Sequence, residues 1–382
     1  MARLLIVATV SVTLRSFLLP FAHYFRAQGW RVDAIARGVS SCAECIEAFD
    51  QVWDVEWSRN LFDLHNLLQA PHQVRTIVER EQHDIVHVHT PVAAFVARYA
   101  LRNIRREGKL KVIYTAHGFH FYNGAPLIRN TLALWLERLA GRWTDYLIVI
   151  NREDEQAAKR YHIVPPDRVR YIPGIGIDTY RYSTDAVSEA EVARVRQELE
   201  LSPEDRLFLM IAEFNPGKRH RDALEAFSRL RRSEAHLAFA GTGPLFEDMQ
   251  RLARRLGLGK HVHFLGLRQD VPALIRASVA TLLPSEREGL SRSVMESLCL
   301  GVPVIGSDIR GIRDLLERGC GLLFKVGDID SLAEAMRWVL EHPTEAQAMG
   351  CKGREQMAVY DLQNILKLHE SLYREALGER KH

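Results

Sequence analysis

The residues best able to do chemistry crowd into one stretch, Leu282 to Asp314, where Glu288 and Glu296 stand eight positions apart. On one continuous helix that spacing would set two carboxylates roughly 80° apart around the axis and at different heights. The apolar run Val279 to Leu283 stops at Pro284 like a buried parallel strand, and helical spacing resumes only at Val294. Glu288 therefore falls on a loop and Glu296 in the helix after it, so both can face one ligand. A second reading stays open for Glu296, because Ser293-Val-Met-Glu296 fits a capping box in which the glutamate bonds its own helix terminus. Gly301, Pro303, the run Val304 to Gly306 and Gly311 then mark another strand-to-helix turn. Two such βα units side by side bring their loops to the carboxyl ends of the strands, where open α/β sheets bind ligands.

Such loops need strands to hold them, and apolar runs supply these in both halves of the chain. Leu4 to Ala8, Arg31 to Ala36, Asp84 to His89, Lys111 to Thr115, Tyr146 to Ile150 and Val169 to Ile172 read as strands. Between the first two, Thr9 to Thr13 reads as a loop and Phe17 to Ala27 as a helix that ends before Gly29. This opening is a nucleotide-type βαβ unit without Gly-x-Gly-x-x-Gly, which argues against a dinucleotide. Leu207 to Ile211, Ala238 to Gly243 and Val262 to Gly266 continue the strand-then-polar-loop pattern. The class is α/β, and 382 residues suit two doubly wound domains rather than one core. The expected boundaries are 1–175 and 176–354, with a helical terminal segment, 355–382.

Composition narrows the function classes. With 47% hydrophobic and 26% charged residues the chain is globular. Five cysteines, at 42, 45, 299, 320 and 351, make neither a disulfide ladder nor a two-pair zinc pattern, which points to a reduced, cytoplasmic setting. No apolar run reaches the roughly 18 to 20 residues that span a bilayer, and the opening MARLLIVATVSV reads as a first strand rather than a signal peptide. Residues 1–175 hold 22 basic against 17 acidic side chains, and residues 176–382 hold 29 against 31. The first half is thus the one to meet an anionic surface. Arg98, Arg102, Arg105, Arg106, Lys109 and Lys111 precede an aromatic and aliphatic stretch, Phe119 to Trp143, that is interrupted by Arg129, Arg138 and Arg142. It reads either as a core helix with a solvated face or as a monotopic surface, weakly and peripherally bound to the inner membrane, that admits a lipid-linked acceptor. No nucleic-acid partner is expected. His87, His89, His117 and His120 lack a carboxylate or cysteine at ligand spacing, and Asp328-Ile-Asp330 stands before Ser331-Leu-Ala-Glu334 as a helix start. No metal and no other cofactor is expected.

Glu288-Gly289, Glu296, Gly301-x-Pro303-Val304 and Gly311 together resemble the retaining glycosyltransferases of family 4, and the resemblance extends over nearly the whole chain. It implies the GT-B fold, two Rossmann-like doubly wound domains facing across a cleft. It implies transfer of a sugar from a nucleotide diphosphate donor, here a UDP-sugar with UDP-N-acetylhexosamine as first candidate, to a lipid-linked or polysaccharide acceptor. Capsule, exopolysaccharide or lipid-linked oligosaccharide synthesis is the implied setting. Glu288 would contact the donor sugar, Glu296 the ribose hydroxyls, and His117 would approach the sugar from the first domain. Lys218, in the loop Ala212 to His220, would bind the diphosphate with Gly217 and Arg219 beside it. Gly241, Gly243, Gly289, Leu290, Ser291 and Arg292 would complete the donor site, Leu267 and Arg268 bordering the nucleobase. Thr13, Phe119 and His120 would lie on the acceptor side. Pro173-Gly174-Ile-Gly176-Ile-Asp178 resembles the family's interdomain turn and suits a hinge, and the last helix would cross back to the first domain.

Two departures from the family pattern stand out. The first loop, Val10-Ser11-Val12-Thr13, lacks a glycine pair, and Glu213 occupies the place of the phosphate-loop arginine. Arg292 is expected to supply the missing charge, with Arg219 as competitor. Hydrolysis by a carboxylate pair, a nucleotide-sugar epimerase of the same architecture and a catalytically silent partner subunit are the rival readings. A glycosidase pair flanks the scissile bond from both sides, whereas these glutamates come from one loop-helix unit. An epimerase would need an acid and base pair in the first domain's strand-end loops. A silent subunit would be expected to have lost Lys218, Glu288 or His117.

Overall fold

The structure is a computed structural model that describes residues 1–57, 63, 65–122 and 126–378. It forms two compact units, one of Met1–Gly176 with Gln363–His382 and one of Ile177–Leu362.

Among the described residues seven parallel strands make the sheet of the first unit: β1 (Arg3–Val10), β2 (Arg31–Arg37), β3 (Gln51–Trp53), β4 (Ile85–Val88), β5 (Lys111–Ala116), β6 (Tyr146–Val149) and β7 (Val169–Tyr171). Their order is β3-β2-β1-β4-β5-β6-β7, and Leu4 to Val7 of β1 pair in register with Ile85 to Val88 of β4. A parallel sheet needs crossover helices on its faces, so its central strands are buried on both sides. That is why Leu4 to Ala8 forms an unbroken apolar run, every residue of it fully buried. In the second unit β8 (Arg206–Ile211), β9 (Ala235–Ala240), β10 (Val262–Gly266), β11 (Ala280–Leu283), β12 (Val304–Ser307) and β13 (Gly321–Phe324) take the order β10-β9-β8-β11-β12-β13. The direction of winding reverses between β1 and β4 in one sheet and between β8 and β11 in the other, and these are the two switch points.

Two expectations need correction, and two edge strands had no signal in the sequence. The segment Thr9 to Thr13 is not a loop: β1 runs to Val10 and Ser11–Thr13 is already helical, leading through the π-helical turn Leu14–Leu18 into the helix Leu19–Ala27. Pro20, in the first turn of that last helix, has no N–H to donate, and the wider turn before it absorbs the missing bond. The edge strands β3 and β13 escape the apolar pattern because they have only three and four residues, mostly half-buried or exposed. The terminal segment rejoins the first unit at Gln363 rather than at Glu355. Met357 and Tyr360 are packed in the second unit's core, and the chain leaves that core only at the helix Leu362–Ala376. Where it does so, Ile177 N–H donates to Tyr360 O (2.9 Å) and Leu362 N–H to Ile177 O (2.9 Å), so the outgoing and returning passages are bonded to each other. Leu362–Ala376 then sets Tyr373 against Phe25 and Trp30 (ring centroids 4.9 and 6.0 Å apart) and His369 against Phe21 (4.9 Å).

Candidate functional site

In the second unit the site grows from the loops that follow β8 and β11, the two strands at its switch point. After β8, Asn215 caps the short turn Pro216–Lys218 by accepting the Lys218 N–H (3.2 Å), and Arg219 takes a left-handed φ of 55° before the helix His220–Leu230 begins. Phe214 is buried under this turn, its ring stacked on His220 with centroids 4.0 Å apart. The turn sends Lys218 across to the β11 loop, where its Nζ lies 2.6 Å from Glu288 Oε1. Two more links join the same loops: Glu286 N–H donates to Gly217 O (2.8 Å), and Arg219 Nη1 reaches Glu286 Oε1 (2.7 Å). Residues seventy positions apart are thereby fixed as one surface.

Glycines hold this surface in place from behind. A Cβ on Gly241 would stand 2.1 Å from Ala212 O, and one on Gly243 2.7 Å from the Phe214 backbone, so the β9 loop presses on the β8 loop only because both lack a side chain. Gly311, after β12, approaches Gly289 in the same way, its Cβ position 2.2 Å from Gly289 O. Gly241 and Gly243 thus back the loop that carries Lys218.

Glu296 lies in the helix Arg292–Cys299, whose N-cap is Ser291. Ser293 is inside the helix, its hydroxyl 3.2 Å from that of Ser291, so the capping-box reading of Ser293 and Glu296 does not hold. Only 7% of Glu296 is exposed. Burial pushes its pKa up, against the opposing pull of Arg292, whose Nε sits 2.9 Å from Oε1, and of the Tyr182 hydroxyl. Glu213 is exposed and accepts from Asn215 Nδ2 (3.0 Å). Arg219 is held by Asp222 (2.6 Å) as well as Glu286, and Arg268 by both Asp270 and Glu198 (2.8 Å each), so Arg268 is a clamp between carboxylates. Leu267 beside it is 77% exposed, and Leu290 packs against the second unit's core.

The first unit has its own polar cluster at the ends of β4 and β5. His87 and His89 project from the same face with ring centroids 4.1 Å apart. His87 Nε2 bonds Thr115 Oγ1 (2.7 Å), its Nδ1 bonds the Tyr373 hydroxyl, and His89 Nδ1 bonds His117 Nε2 (3.0 Å). Burial lowers the pKa of all of them and of His369, holding the imidazoles neutral. At the switch point Thr90 has a φ of 62°, costly for a β-branched residue, and its Oγ1 lies 2.7 Å from Thr9 Oγ1. The sequence signal for Thr90 and Tyr373 was weak, since neither a lone threonine nor a helix tyrosine announces a long-range partner.

The acceptor-side residues separate. Thr13 is half-buried in the first helical turn and His120 half-buried after β5, but Phe119 is 1% exposed, stacked on Phe121 at 4.7 Å. Its ring belongs to the core, a correction to its assignment. Asp328 caps the helix Ile329–Glu341 through Ser331 N–H (3.0 Å), and Asp330 pairs with Arg229. Among the described residues no group of three or more His, Cys, Asp or Glu is arranged to hold a metal ion. Cys42 and Cys45 are free thiols 2.8 Å apart.

Two doubly wound parallel sheets are the architecture of the GT-B glycosyltransferases, and the Anabaena protein HepE, solved with UDP and glucose, has this fold: TM-score 0.81 at 18% identity over 98% of this chain and 100% of that one. Residues 16–181 match Glycosyltransferase Family 4, and residues 191–356 match glycosyl transferases group 1. A protein of Bacillus subtilis named as glycosyltransferase EpsD is 34% identical over 356 residues, 92% of this chain and 91% of that one. The UDP-Gal:alpha-D-GlcNAc-diphosphoundecaprenol alpha-1,3-galactosyltransferase of Escherichia coli is 27% identical over 266 residues, 68% and 67% of the two chains. The chain belongs to the family 4 type of GT-B glycosyltransferases, enzymes of polysaccharide or glycoconjugate synthesis.

Proposed function

We propose that this glycosyltransferase is retaining and metal-independent, and moves a sugar from a UDP-linked donor to a lipid-linked or polysaccharide acceptor in cell-surface glycan synthesis. The observation that carries the reading is the 2.6 Å pair of Lys218 and Glu288 at the second unit's switch point. Breaking the sugar-diphosphate bond leaves added negative charge on the diphosphate, and Lys218 is placed to meet it. Glu288, an acceptor only, is suited to hold a sugar hydroxyl once Lys218 turns to phosphate. Glu296 serves the ribose and Arg292 supplies the second positive charge for the diphosphate, Leu267 borders the base, and neutral His117 serves the sugar. The UDP-bound neighbour supports a UDP donor, and the diphosphoundecaprenol substrate of the E. coli relative supports a lipid-linked acceptor.

One assay tests both finer statements. The protein is incubated with UDP-N-acetylglucosamine and other UDP-sugars and a lipid-linked acceptor, with and without EDTA, and the product's anomeric configuration is read by NMR. Retention with EDTA-insensitive turnover is expected. Inversion would overturn the stereochemical reading, and loss of activity in EDTA restored by Mg²⁺ or Mn²⁺ would overturn metal independence.

A further inference from the structure

The helix Leu127–Gly141 presents Leu127 (84% exposed), Ile128 (87%) and Trp135 (58%) to solvent. Along its flank, against the start of the helix Pro91–Arg106, runs a groove of about 250 Å³ walled by Val92, Phe95, Leu132, Ala133 and Leu136. Its floor is polar in composition and neutral in effect. Arg98, 1% exposed, pairs with Glu137 at 3.3 Å, lies 4.0 Å over the ring of Tyr114 and donates to Ala94 O (3.0 Å), while the Tyr114 hydroxyl donates to Glu137 (3.2 Å). A self-neutralised pair of this kind offers a ligand no net charge. Arg129 and His120 also line the groove, and His120 follows β5 at the carboxyl edge of the sheet, the edge that carries His117.

Apolar walls beside a guanidinium select a ligand that is apolar along its length and anionic at one end. A sugar pressed against Phe95 and Leu132 would bury hydroxyls without partners. The volume is below the roughly 300 to 1,000 Å³ of ordinary small-molecule sites, so it holds a segment of a chain and not a whole lipid. Leu127 and Ile128, on the same helix, continue the apolar surface outward. We propose that this groove holds the first isoprenoid stretch of a polyprenyl diphosphate-linked acceptor, with Arg129 facing the diphosphate. The proposal rests on the lipid-linked-acceptor reading above and adds the place where the lipid is gripped.

The test uses the full chain with saturating UDP present, so that the donor site is occupied, and compares binding of farnesyl diphosphate with that of inorganic pyrophosphate by calorimetry. Farnesyl diphosphate is expected to bind at least about tenfold more tightly, the apolar chain supplying the difference. Leu132→Asp and Ala133→Trp should abolish that advantage, and Arg129→Glu should weaken farnesyl diphosphate further, with UDP affinity and circular dichroism unchanged in all three. Equal binding of the two ligands, or an undiminished farnesyl advantage in both groove variants, would overturn the proposal. If wild type shows the advantage and the variants lose it while no UDP-sugar is turned over, the groove stands and the UDP-donor reading falls.

Discussion

Lys218 and Glu288 neutralise each other across two loops, and that pairing is what makes their removal informative. With the lysine 27% and the glutamate 12% exposed at the side chain, neither is a surface ion pair of negligible worth. Lys218→Ala and Glu288→Gln should each lower kcat/KM by about ten- to a hundredfold, the loss of one charge-assisted bond of about 1.5 to 3 kcal/mol. Near-wild-type turnover in both would remove them from the machinery. The two candidates for the missing phosphate-loop arginine differ in their carboxylate partners. Arg219 faces two carboxylates, Asp222 and Glu286, whereas Arg292 bonds Glu296, a carboxyl whose burial favours its protonated form. Arg292→Ala is therefore expected to raise the donor KM strongly and Arg219→Ala only slightly. The reverse order, measured by initial rates, would transfer the role to Arg219.

At the scale of elements, the helix Leu362–Ala376 reaches back over the sequence to close the histidine cluster beneath β4 and β5. Unfolded histidines titrate near pH 6.5, whereas burial lowers His117 and His369 to about 4. Between those values the unfolded chain binds more protons than the folded one. Stability is therefore fully present above about pH 6.5 and is lost as pH falls toward 4. The urea midpoint should drop between pH 7 and pH 5, and His369→Phe, which keeps the ring against Phe21, should reduce that drop by up to about 1.4 kcal/mol per pH unit. A midpoint independent of pH over this range would show that the cluster does not couple to folding. Tertiary packing decides this behaviour, because His87 and His89 at the end of one strand, His117 after the next and His369 on the last helix gain their low basicity only when these elements are packed together.

For the molecule as a whole, charge and apolarity are divided unequally between the units. Among the described residues no helix is long and apolar enough to cross a membrane. Yet the helix Leu127–Gly141 exposes Leu127, Ile128 and Trp135 among Arg129, Arg138 and Arg142, in the half of the chain with the basic excess. Peripheral binding through this face should appear as sedimentation with phosphatidylglycerol vesicles that exceeds that with phosphatidylcholine and weakens in high salt. Leu127→Asp with Ile128→Asp should abolish it. Equal partitioning onto both vesicle types would count against an electrostatic contribution.

Unbroken apolar runs determine the two parallel sheets from sequence alone, since strands buried on both faces admit little else, and Pro284 and Gly289 already place Glu288 on a strand-end loop. The same rule fails for β3 and β13, edge strands too short to carry a pattern. Spacing along the chain also left Glu296 open between ligand contact and helix cap. Only the structure settled that Ser291 is the cap and that Glu296 is buried beside Arg292 and Tyr182. Phe119 likewise looked like a site residue at a strand end and proved to be core. The reason is common to these cases: local propensity and periodicity report which element a residue occupies, whereas its partners come from loops and helices tens to hundreds of residues away. Lys218 met Glu288 only when the crossovers brought strand ends together, and Tyr373 met His87 only when the last helix returned to the first sheet.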